Sequence, residues 1–72
     1  MAALTPKQLE ELESLVDSTS MHHVLEALVA ICEAKSMHIR ETWGDDPLAR
    51  MWHKAANRVM VAAISSAVKD LP

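Results

Sequence analysis

A chain of 72 residues with a net charge of −3 and a pI near 5.7 has room for one domain. It carries no global electrostatic footprint for nucleic acid or an anionic membrane. Half of the residues are hydrophobic, yet Trp43 and Trp52 are the only Phe, Tyr or Trp residues, and the single Gly and three Pro sit near segment ends, which excludes a sheet protein and fits a helical one built from Leu, Ala, Val and Met.

The chain opens with Met1-Ala2-Ala3-Leu4, which is too short and uncharged to read as a leader. Thr5 is then placed to cap a first helix, with Pro6 in its first turn, Gln8 completing a capping box, and Leu4 and Leu9 spaced as a hydrophobic staple. Leu9, Leu12, Leu15 and Val16 share a face that Glu10, Glu11, Glu13 and Asp17 avoid, so the spacing predicts a short amphipathic helix over about 6–17. Ser18-Thr19-Ser20 breaks it, because these side chains compete for main-chain hydrogen bonds and favour caps. A second helix follows over about 20–43, with Met21, Val24, Leu25, Leu28, Ile31, Cys32 and Ile39 as its inner stripe. Met37, Val29 and Val61 fall on mostly polar faces, which suggests a second contact surface. The lone Cys32 cannot close an intramolecular disulfide and reads as a small core residue, which points to a reducing, cytoplasmic compartment.

Trp43-Gly44-Asp45-Asp46-Pro47 is the turn. Gly44 closes one helix in the left-handed conformation, while Asp46 is expected to cap the next and Pro47 to begin it. That third helix is expected over about 47–69, with an inner side including Leu48, Met51, Trp52, Ala56, Val59 and Ala63. Its longest charge-free stretch, Val59 to Val68, is about half of a membrane span. The short connection makes the two long helices antiparallel neighbours, with Ile39 expected near Trp52, Cys32 near Val59 and Leu28 near Ala63. The first helix should lie back along the half of this hairpin far from the turn. It leaves the turn end uncovered, with both tryptophans on it.

These features define an all-α fold: a short N-terminal helix on a long helical hairpin, assembling into a helical-bundle homo-oligomer, with a dimer favoured. The interface expected from the pattern comprises Met37, Ile39, Trp43, Met51 and Trp52, whether it meets a second copy or another protein. Arg50, Lys54 and Arg58 stand one turn apart and would tune that contact, or reach phosphates if the chain were a dimeric nucleic-acid regulator. Glu33, Glu41, Asp45 and Asp46 close by favour a solvated or subunit-bridging row instead.

Catalysis finds no support in the spacing. Neither Ser65-Ser66 nor Cys32 has a histidine at comparable height, and a single glycine makes no phosphate loop. Adjacent His22 and His23 cannot face one ion, and their place at a helix start suits capping. His38 and His53 are the one pair at similar height across the hairpin, hence weak candidates for a metal or small ligand. The sequence thus reads as a non-enzymatic protein without a cofactor that acts by association.

Overall fold

The computed structural model describes residues 3–72; Met1 and Ala2, the start of the stretch expected to be too short and uncharged for a leader, lie outside the described residues. Four helices follow in chain order: α1 (Pro6–Ser18), α2 (Met21–Trp43), α3 (Asp46–Ala63) and the single turn α4 (Ser66–Lys69). There is no strand among the described residues. Helices α2 and α3 form the hairpin, and α1 touches α2 but not α3.

Each helix starts where local hydrogen bonding dictates. Thr5 Oγ1 accepts from the Gln8 amide at 3.2 Å while the Gln8 side chain accepts from the Thr5 amide at 2.9 Å, the reciprocal capping box of α1. At its other end Thr19 Oγ1 donates to the Leu15 carbonyl at 2.7 Å, which turns the chain out of the helix. Ser20 caps α2: its Oγ accepts from the His23 amide at 3.1 Å and lies 2.6 Å from His23 Nδ1, to which the hydroxyl proton can be given. The capping role expected of His23 is therefore present in the geometry.

The hairpin turn follows its expected chemistry with one shift. Gly44 adopts φ 65°, ψ 18°, and its amide donates to the Arg40 carbonyl at 3.1 Å, closing α2. The cap of α3 is Asp45 rather than Asp46: Asp45 Oδ1 accepts from the Leu48 amide at 3.1 Å, and Asp46 and Pro47 occupy the first two helical positions. An aspartate cap needs its carboxylate three residues before a free amide, a condition that Asp45 meets in this turn. Asp46 is then free to lie 3.7 Å from Arg40.

Helix α3 also stops earlier than its hydropathy suggests. It ends at Ala63, Ser65 is extended (φ −65°, ψ 140°), and residues 66–69 form a separate turn that touches both α2 and α3. Ser65 and Ser66 are therefore a break rather than packing residues within one long helix, consistent with the preference of serine for helix ends. The apolar run after Val59 packs with this returning turn and not with α1, contrary to the expectation that α1 covers it.

The seam between α2 and α3 is made of small side chains. Ala49, Ala56 and Ala63, each seven residues from the next, are buried along α3, and Val29 and Ser36 are buried along α2. Two hydrogen bonds fix its register. Ser36 Oγ donates to the Ala49 carbonyl at 2.7 Å, and His22 Nδ1 lies 2.6 Å from the Ala63 carbonyl. A carbonyl only accepts, so His22 carries its proton on Nδ1 and closes the end of α3, where a last-turn carbonyl would otherwise lack a partner. Its Nε2 faces Glu26 Oε1 at 3.3 Å. Ser36 is short, and it can reach a facing main-chain oxygen only where the two backbones approach closely.

This register corrects the expected pairing. Ala63 meets His22, not Leu28, and the midpoint places Val29 against Ala56. Val29, expected on a polar face, is only 4 % exposed. The small residues decide the contact because they allow the closest backbone approach, and the larger apolar residues are displaced to the flanks.

Candidate functional site

Seven residues beyond Ser36 the seam line of α2 reaches Trp43, but α3 begins at Asp46 and has no residue left to oppose it. The end of α2 therefore projects past α3. Trp43 sits on this tip and is 73 % exposed. Trp52 is half-buried beside the seam of α3. Neither indole is enclosed by the chain's own residues.

The two helices are antiparallel, so positions that immediately precede the seam residues fall on one common side of the hairpin. That side carries Leu28, Leu48, Ala55 and Ala62 with the single cation Lys35 among them, and Leu25, Cys32, Ile39, Trp52 and Val59 next to the seam. The opposite side carries Glu26, Glu33 and Arg40 from α2 with His53 and Met60 from α3. One flank is apolar and the other is mostly polar.

Two depressions open on the apolar flank. Leu48, Met51, Trp52 and Ala55 line one of about 310 Å³ on α3. Leu12 and Leu15 of α1, with Val24, Leu28 and Ile31 of α2, line much of a groove of about 330 Å³. Helix α1 thus lies along the outer side of α2, and the groove runs between these two helices. Leu9 and Leu15 on α1 stay 58 % and 56 % exposed.

The amount of uncovered surface is large for the chain. Its accessible surface is 5795 Å² at a mass of 8.0 kDa, against about 4,500 Å² for a compact monomer of that mass. The excess, about 1,300 Å², exceeds the roughly 800 Å² that each partner contributes to a standard interface. The shape agrees: the radius of gyration is 14.0 Å in a body of 40 × 29 × 16 Å, where a compact chain of this length would have about 11 Å.

The residues singled out by sequence separate into groups. Met51 and Trp52 share the α3 depression, and Ile39 lies half-buried beside the seam on the same flank. Trp43 stands apart on the projecting tip. Met37 is exposed and immediately follows the seam residue Ser36, on the other side of the hairpin. Leu48, Leu28 and Ile31 line open depressions but were not singled out, because the hydropathy stripe assigns them to the core. Their heptad offset from Ala49, Val29 and Ser36 was the available signal.

Arg50, Lys54 and Arg58 are all exposed along α3, and the Arg–carboxylate pair among the described residues lies elsewhere, at Arg40–Asp46. The pair His38 and His53 is not brought together: His38 lies on the outward side of α2 with Ile31, Ala34 and Lys35, 3.3 Å from Thr42 Oγ1, while His53 is on the polar flank of α3. Among the described residues no group of three or more His, Cys, Asp or Glu side chains converges as metal ligands, and no helix is long and apolar enough to cross a membrane. No family model, curated protein or solved structure matches the chain.

Proposed function

We propose that this chain is a non-enzymatic helical module that acts by protein association through the apolar flank of its hairpin. The observation that carries the reading is the excess of accessible surface, together with the open apolar side chains on one flank: Leu28, Leu48, Trp52 and Ala55 stand next to a seam already closed by alanines, with Met51 and Ile31 farther out on their helices. Side chains of this size that are not needed to join α2 to α3 are available to anchor a partner. Ile39 beside the seam extends this surface toward the turn, and Trp43 offers a separate exposed anchor at the tip. Met37 belongs to a separate, smaller patch.

The test combines mass with exposure. Analytical ultracentrifugation over a concentration series gives the assembly state, and binding of an environment-sensitive apolar dye reports any uncovered flank. A self-associated species, or a monomer that binds the dye and loses that binding in Leu48→Ser/Met51→Glu, supports association through this flank. A folded monomer that binds no dye and has both tryptophans shielded from quencher overturns the reading.

A further inference from the structure

We infer that the occupant of the apolar flank is a second copy of this chain, placed so that α1 of each copy lies along α3 of the other. The inference rests on the association reading above and goes on to name the partner and the pairing. Two independent observations carry it. The first is area: an isologous contact buries the same surface on both copies, and the excess of about 1,300 Å² is ample for a contact of standard size. The second is charge. Helix α1 holds Lys7 against Glu10, Glu11, Glu13 and Asp17, whereas α3 holds Asp46 against Arg50, Lys54 and Arg58.

These oppositely charged helices do not touch within one chain. Their apolar stripes are also each left half-covered: Leu9 and Leu15 remain open on α1, and Leu48 and Met51 on α3. Lys54 and Arg58 stand one turn beyond Met51 and Ala55 respectively, and Glu11 stands one turn before Leu15. A basic row therefore borders one stripe and an acidic row the other. Bringing α1 of one copy to α3 of its partner satisfies both pairs of rows at once, and two-fold symmetry makes the junction twice. Opposite potentials of this kind fix orientation and choice of partner more than they add affinity.

A charge-exchange experiment at low ionic strength decides the matter, since screening would mask exposed pairs at high salt. Three variants are needed: Lys54→Glu/Arg58→Glu on α3, Glu10→Lys/Glu11→Lys on α1, and the control Glu33→Lys/Glu41→Lys on α2, with helicity checked for each by circular dichroism. The wild-type chain is expected to sediment at twice 8.0 kDa. The α3 and α1 variants alone should each dimerise about tenfold more weakly. Mixed together they should recover wild-type affinity, because each α1 then faces an α3 of opposite charge. The control carries the same change in net charge and should not restore pairing with the α3 variant.

Recovery with the α1 variant alone supports the inference. Recovery with both, or with neither, overturns the α1-to-α3 pairing while a wild-type dimer leaves association through the flank standing. A wild-type chain that stays monomeric while its flank binds dye overturns the second copy as occupant and leaves association to a different protein.

Discussion

Along the seam the buried positions are Val29, Ser36 and three alanines, whereas Leu28 and Leu48, one position away, and Trp52, within a turn of the seam, remain wholly or partly open. The two regions differ in what their side chains do for the backbone. Small residues let α2 and α3 approach until a serine hydroxyl meets a facing carbonyl, so the joint is narrow and fixed in register. Large residues beside it cannot enter that gap and are carried to the surface. A hairpin closed by its smallest side chains leaves its largest uncovered.

Substitutions can break this contrast from either side. Enlarging the seam should be most costly: Ala56→Leu is expected to destabilise the hairpin by about 3 kcal/mol through overpacking, read as a lower urea midpoint, and an unchanged midpoint would show that the helices are not closely apposed. On the flank, Leu48→Ser/Met51→Glu should leave helicity intact and weaken association about thirtyfold, equivalent to about 2 kcal/mol. Equal loss of helicity and association would place those residues in the core after all.

Smaller effects sharpen the account at the ends of the seam. Gly44→Val should cost about 1 to 2 kcal/mol of stability. No atom lies within 4 Å of the added Cβ, so the loss is conformational; thermal melts that match the wild type would exclude a left-handed turn there. Ser36→Ala should cost about 1 kcal/mol for the lost hydrogen bond to Ala49, whereas Ser36→Leu should cost more despite its greater hydrophobicity. Arg40→Ala should shift stability by less than about 1 kcal/mol, because the pair with Asp46 is exposed.

The helices and their ends were legible in the sequence wherever a local rule applied. Thr5 with Gln8, the serine and threonine break, and Gly44 all specify main-chain hydrogen bonds within a few residues, and each is observed. The facing of α2 and α3 was not legible from hydropathy. A hydrophobicity stripe weights Leu28, Ile31 and Met51 above Ala49 and Ser36, yet backbone approach depends on the volume that must fit between helices. The recurrence of Ala49, Ala56 and Ala63 held that information. The stop at Ala63 had a local signal in Ser65-Ser66, whereas the His22 contact to the Ala63 carbonyl joins residues 41 apart and has none.

The open apolar flank, proposed above as the association surface, was partly legible. Met51 and Trp52 stood out because two helices cannot enclose large side chains near a turn, and they do line an open depression. Leu48 was hidden within the expected core, and Met37 was grouped with the others because a linear pattern does not say which flank of the seam a residue occupies.

The central claim is that the flank around Trp52 is covered in the working assembly. Trp43→Phe leaves Trp52 as the sole indole, and its emission can be followed on dilution alongside sedimentation mass. The account predicts blue-shifted emission in the dimer and a red shift as the mass falls to that of one chain. A dimer that dissociates with no change in Trp52 emission would contradict it.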